Sequence, residues 1–208
     1  MEQSQQPVLV SRPWKTSEVQ ASIENPILDL TVMHWNMLAD KLADDYFPKV
    51  PEDYLKWSHR FPLILQQIKS VDPDVIGLSE VDCFPLYDEV RVAMYELGYL
   101  DYFYEKSNRQ SAPAVFYKRD KFSCLKQNLV LFEEKASQFL IYTHLQSKAD
   151  PKTEFVFAET HLKSKAAFIE QRTHQTKVIL DHFTQNYKDI PIFIAGDFNE
   201  TPENVPIT

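Results

Sequence analysis

The stretch IFIAGDFNET, residues 192–201, decides how this chain is read. Ile192, Phe193, Ile194 and Ala195 have the apolar weight of a buried strand, and Asp197 and Asn199 follow two residues apart. Residues at that spacing leave an extended chain on one side. A carboxylate and an amide just past a buried strand hold oxygen ligands at the rim of a sheet. The same two groups also suit an Asx turn, so this stretch needs company before it means chemistry.

Working outward, two upstream segments supply that company. LDLTVMHWNM, residues 28–37, alternates Leu30, Val32, His34 and Asn36 against Thr31, Met33 and Trp35, with bulk enough on both faces for a central strand that ends by delivering Asn36. In DPDVIGLSEVD, residues 72–82, Val75, Ile76 and Leu78 make a short buried strand with Glu80 at its end. Between them, DYLKWSHRFPLILQQIKSV, residues 53–71, sets Phe61, Leu65 and Ile68 on one helical face, with Ser58 as N-cap and Pro62 bending or restarting the helix. PLYDEVRVAMYELG, residues 85–98, repeats helical spacing through Leu86, Val90, Met94 and Leu97 and stops at Gly98. Farther on, PAVFYK (113–118) reads as a strand, and QFLIYTHLQ (138–146) and TEFVFAETHL (153–162) read as antiparallel strands around the turn SKADPK. A helix over about 167–187, with Ile179, Leu180 and Phe183 toward the core, leads into the opening stretch.

Composition bounds the rest. The chain has 208 residues, 44% hydrophobic and 13% aromatic, enough for one sizeable domain with its own core. A net charge of -8 excludes broad non-specific nucleic-acid binding but permits an acidic site that reaches a phosphate through a cation. Cys83 and Cys124 lack the spacing of a zinc site or a disulfide framework and read as buried thiols. No apolar run approaches the ~18 residues of a membrane span, and residues 1–26 read as a polar extended arm without a leader, so the expected setting is cytoplasmic or another reducing compartment.

Asn36, Glu80, Asp197 and Asn199 thus stand at the ends of three apolar strands. Carboxylate and amide oxygens are the donors of a hard divalent cation such as Mg²⁺, which takes one or two carboxylates and fills its other positions with water and phosphate. His161 ends a fourth strand and can donate a hydrogen bond to a phosphoryl oxygen gaining charge. The near-repeat YTHLQSK (142–148) and ETHLKSK (159–165) separates the two strand histidines: His161 runs into Lys163 and Lys165, cations suited to phosphate, whereas His144 runs into a turn.

In order and spacing, MHWNMLAD, the LKW helix, PDVIGLSEVD, PAVFYK, THLKSK, R..Q...IL (172–180) and FIAGDFNETP resemble the endonuclease/exonuclease/phosphatase superfamily, most of all its nocturnin and poly(A)-deadenylase branch. The resemblance implies an α/β (α+β) fold, a sandwich of two mixed β-sheets flanked by helices over residues 27–208, and Mg²⁺- or Mn²⁺-dependent hydrolysis of a phosphate ester. It implies that Glu80 is the metal carboxylate, that Asn36 orients water or phosphate, that Asp197 and Asn199 position the attacking water and scissile phosphate, and that His161 stabilises the transition state. It further implies substrate contacts from Lys106, Lys163 and Lys165, with Arg172 supporting them; Lys165 stands where that branch carries an arginine.

The chain departs from the family in two places. RQSAPAVFYK replaces an Asp-Gly-Cys-Ala-like segment near the substrate, and a C-terminal Asp/His element expected after GDFN is missing, as though the last third of the domain were absent. Expected substrates are RNA or a nucleotide, with a second polypeptide that completes the domain as one explanation of its length. The competing expectation is a catalytically inactive relative that serves an assembly as a structural or binding subunit.

Overall fold

A computed structural model describes residues 29–105, 110–133 and 137–201, so the arm expected over residues 1–26 lies outside the described residues. The strands are β1 (Val32–Asn36), β2 (Val75–Asp82), β3 (Tyr99–Phe103), β4 (Ser111–Lys118), β5 (Phe122–Leu131), β6 (Phe139–Ser147), β7 (Glu154–His161) and β8 (Ile192–Asp197). The helices are α1 (Asp40–Tyr46), α2 (Glu52–Leu55), α3 (Trp57–Val71), α4 (Leu86–Glu96) and α5 (Ile169–Asn186). Strands order as β1-β2-β4-β3 in one sheet and β5-β6-β7-β8 in the other. Each sheet is mixed: β1 runs parallel to β2 and β8 parallel to β7, while the other pairs are antiparallel.

Three apolar layers hold this sandwich. Val115, Tyr117, Phe122, Ile141, Leu145, Phe155 and Phe157 fill the space between the sheets. Ile76, Leu78 and Phe116 face outward under α3 and α4, which contribute Phe61, Ile64, Ile68, Val90 and Met94. On the opposite side Leu140, Tyr142, Val156 and Ala158 meet Ile179 and Phe183 of α5. The inner strands therefore bury both faces, which is why their sequences read as nearly unbroken apolar runs.

Several local expectations are corrected. β1 is an edge strand of its described sheet, not a central one; Met33 and Trp35 find their burial against the helical layer rather than under a further strand. Ser58 is the second residue of α3, Lys56 occupies the N-cap position, and the helical break falls there rather than at Pro62, which sits inside α3. Leu180 points to solvent, because the buried stripe of α5 runs Arg172, Gln175, Ile179, Phe183. Cys83 is buried as expected, but Cys124 is only half-buried on β5. The strands β3 and β5 and the short helix α1 were not foreseen. None of the helices among the described residues is long and apolar enough to cross a membrane.

Candidate active site

At one end of the sandwich the strand ends converge. Asn36 closes β1, and its Oδ1 accepts the Leu38 N–H at 2.9 Å, which fixes the amide so that Nδ2 points at two carboxylates. That nitrogen donates to Glu80 Oε1 at 2.9 Å and to Asp197 Oδ2 at 3.1 Å, joining the two sheets through one side chain. His161, closing β7, lies 3.8 Å from Glu80 through Nδ1 and 3.7 Å from Asp197 through Nε2, close enough for charge attraction but not for a hydrogen bond.

Backbone irregularity aims these groups. Pairing of β2 with β4 shifts register between Leu78 and Val81, and Glu80 at that bulge has φ 53, a left-handed conformation that costs a non-glycine residue on the order of 1 kcal/mol. The bulge turns the Glu80 carboxylate from the sheet toward Asn36, where Oε2 also accepts the Ala39 N–H at 3.3 Å. Asp197 and Asn199 do form the Asx turn, with Asn199 N–H donating to Asp197 Oδ1 at 3.0 Å and φ 51 at Asn199. The Asn199 amide then ties down the Leu162 carbonyl at 3.0 Å, immediately after His161. Turn and site are one construction, so the structural and chemical readings of GDFN do not compete.

Gly196 is dictated by the same closeness. It pairs with Thr160 across the parallel β7–β8 ladder, and a Cβ built on it would overlap the Thr160 carbonyl oxygen. Gly196→Ala is expected to cost more than about 1 kcal/mol, because β8 must move away from β7 or lose ladder bonds. Urea denaturation read by circular dichroism measures this; an unchanged midpoint would show that the strands yield freely.

Glu80, His161, Asp197 and Asn199 line a cavity of about 460 Å³ together with the neutral amides Gln110 and Gln138. Two of the sequence-proposed cations are engaged by the protein itself. Lys163 Nζ rests 4.9 Å over the Phe168 ring. Arg172 is buried, with Nη1 bound to the carbonyls of Lys163 at 3.0 Å and Lys165 at 2.8 Å, and its other nitrogens on Glu200, so it braces the loop after His161 rather than facing the cavity. Lys165 has φ 79 at that brace, and Lys106 lies outside the described residues. His144 is a strand residue, paired with Glu154 at 2.9 Å.

Sequence reasoning missed the layer beneath this cluster. Glu159 lies fully buried between the sheets, where Ser79 Oγ–H donates to its Oε1 at 2.7 Å and His34 Nε2 stands 3.3 Å from the same oxygen. Burial lifts the Glu159 carboxyl above its ordinary pKa, opposed by His34 and Ser79. Burial works against the charged form of His34, but the hydrogen bond and charge of Glu159, with Asp197 behind them, raise its pKa overall. A carboxylate inside the apolar strand FVFAET was the available signal.

Mixed sheets in this order, with an amide, two carboxylates and a histidine gathered at their ends, define a class. The chain belongs to the endonuclease/exonuclease/phosphatase family, whose model matches residues 33–207. Within it, the chain is 31% identical to Nocturnin of Drosophila melanogaster over 84% of its own length and 29% of that protein's, and 31% identical to Nocturnin of Homo sapiens over 83% and 43%. The Drosophila melanogaster Protein angel is 28% identical over 95% of this chain and 60% of that one. Among solved structures, ANGEL2, described as a 2',3'-cyclic phosphatase, superposes with a TM-score of 0.74 at 29% identity, covering 83% of this chain and 53% of the other. The human Nocturnin catalytic domain with bound sulfate gives 0.71 at 28% identity, covering 83% and 65%. The chain thus spans 29% to 60% of the length of these curated relatives.

Proposed function

We propose that this chain hydrolyses the phosphate ester of a compact nucleotide with the help of a divalent cation, Mg²⁺ or Mn²⁺. The observation that carries the reading is the cluster of Glu80, Asp197 and His161 at the cavity, with Asn36 bridging the two carboxylates. Two carboxylates bridged by one amide offer the oxygen donors that such an ion takes. Mg²⁺ needs no more than one or two carboxylates, whereas zinc asks for a fuller set of nitrogen and sulfur ligands.

Glu80 and Asp197 would hold the cation, which supplies Lewis-acid polarisation of a phosphoryl oxygen. Asn36 keeps both carboxylates at a fixed separation. His161, a quarter exposed, donates its N–H to a phosphoryl oxygen as charge builds there, the contribution a prepositioned donor makes to a transition state. Asn199 and the Asx turn hold the wall against which the ester sits.

A compact substrate is favoured over an RNA tail by the lining. Gln110 and Gln138 are neutral hydrogen-bonding groups, and no Lys or Arg lines the cavity among the described residues. A strand-binding track would carry cations and stacking aromatics along its length. Its volume falls within the ordinary range for small-ligand pockets, about 300–1,000 Å³. ANGEL2 is described as a 2',3'-cyclic phosphatase, which makes a cyclic phosphate one of the esters to test.

The test is phosphate released from NADPH, opening of adenosine 2',3'-cyclic phosphate, and AMP released from oligo(A), each with Mg²⁺ and with EDTA. Mg²⁺-dependent turnover of either compact nucleotide is expected. Turnover of oligo(A) alone would assign a 3′ exonuclease, and no turnover of any would overturn the reading for this chain by itself.

A further inference from the structure

Glu159 is the least comfortable side chain among the described residues. Its carboxylate is wholly inside the sandwich, next to Phe157 and cross-strand from Ile141, and its Oε2 has no hydrogen-bond partner. Burying a carboxylate with half its acceptors unused is costly, and a Met or Leu of similar size would pack against the apolar layer that surrounds it. The sequence nevertheless makes room for it. A Cβ on Gly77, in the facing strand β2, would overlap Glu159 Oε2, so the absence of a side chain at 77 and the carboxylate at 159 are fitted to one another.

Strand geometry relates this buried group to the site. His34 precedes Asn36 by two residues on β1, and Glu159 precedes His161 by two on β7, so each lower group shares a face with the upper one, about 6.6 Å below it. Ser79 immediately precedes Glu80 at the bulge of β2. The three side chains therefore meet at one oxygen: Ser79 Oγ at 2.7 Å from Glu159 Oε1, His34 Nε2 at 3.3 Å, and Ser79 to His34 at 3.2 Å. They join β1 and β2 of one sheet to β7 of the other just below Asn36, Glu80 and His161, residues that no helix or turn connects directly.

We infer that Glu159 is a positioning residue: by gripping His34 and Ser79 it fixes the ends of β1 and β2 against β7, and so sets where Asn36, Glu80 and His161 stand relative to one another. The inference rests on the phosphoesterase reading only for what those groups then do. A role confined to stability is disfavoured by the unsatisfied oxygen, since an apolar residue would serve packing better.

The measurement is the side-chain amide NMR signal of Asn36, whose Nδ2 bridges Glu80 and Asp197 and reports the site without metal or substrate, taken with the midpoint of thermal unfolding and Mn²⁺ binding. Glu159→Gln keeps the shape and the acceptor for Ser79 but not the charge that holds His34. The expected result is a midpoint close to the parent, a shifted Asn36 amide, and Mn²⁺ affinity about tenfold weaker. His34→Ala, at a half-exposed position on an edge strand, keeps the test decisive if the first variant does not fold, and should shift the same signal. An Asn36 amide unmoved in the folded variants would overturn the inference and leave Glu159 a core residue only. Parent protein that binds no Mn²⁺ while the amide still responds would sink the metal-dependent reading and leave the positioning role standing.

Discussion

Glu80→Ala is expected to lower Mg²⁺-dependent phosphate release about a thousandfold with little loss of stability. A thousandfold corresponds to about 4 kcal/mol of transition-state stabilisation, a reasonable share for a carboxylate that would hold the proposed cation. The fold should survive. Glu80 sits at a bulge and lines the cavity itself, and the Asn36 amide that it accepts from keeps Asp197 as a second partner. Alanine inherits the same left-handed backbone as glutamate, so that strain is unchanged. Glu80→Gln separates charge from shape, since it keeps an acceptor for Asn36 and loses the negative charge a cation needs. Both variants should fail alike if the cation is held there. Turnover retained by Glu80→Gln would assign the side chain to holding Asn36 alone and remove the metal from Glu80.

How far the sequence could be read depends on which forces local spacing reports. The sandwich was legible because β2, β6 and β7 are apolar enough on both faces to be recognised one by one, and because α4 and α5 show their buried stripes at helical spacing; β8 was recognised as a strand, but it is a half-buried edge strand with Phe193 exposed rather than the buried strand expected. Edge placement was not. Nothing within VMHWN states which neighbours β1 has, and its bulk serves the helical layer instead of a second strand. The gathering of Asn36, Glu80, His161 and Asp197 followed from four strand ends that bear polar groups, a pattern visible along the chain. The hydrogen bonds that orient them were hidden, because they span separations of 44 and 161 residues. His34 lacked a partner in the sequence for the same reason: its partner Glu159 lies in the other sheet. The basic residues are a different case. Proximity of Lys163, Lys165 and Arg172 to a site strand says nothing about side-chain direction, and two of the three turn to an aromatic ring and to backbone carbonyls.

That direction makes Arg172→Met a decisive variant, expected to lose roughly 3–5 kcal/mol, the usual consequence of removing one partner from a buried charge pair. Arg172 is only 5% exposed, and its guanidinium holds Glu200 at 2.5 Å as well as the carbonyls of Lys163 and Lys165. Without it, two carbonyls and a carboxylate are left in a poorly hydrated place, and the loop that follows His161 loses its brace to α5. For a chain of this length the thermal midpoint should fall on the order of 10 °C. Lysine should not restore it, because one ammonium cannot reproduce a planar fork that meets three acceptors at once. A phosphate-gripping role would have the opposite signature. Removal of a cation that only touches substrate raises KM and leaves the midpoint where it was, since uniform binding is lost and no packing is. Comparison of the unfolding midpoint with KM in one variant therefore decides whether Arg172 binds the substrate or the protein, and the hydrogen bonds it already makes commit it to the protein.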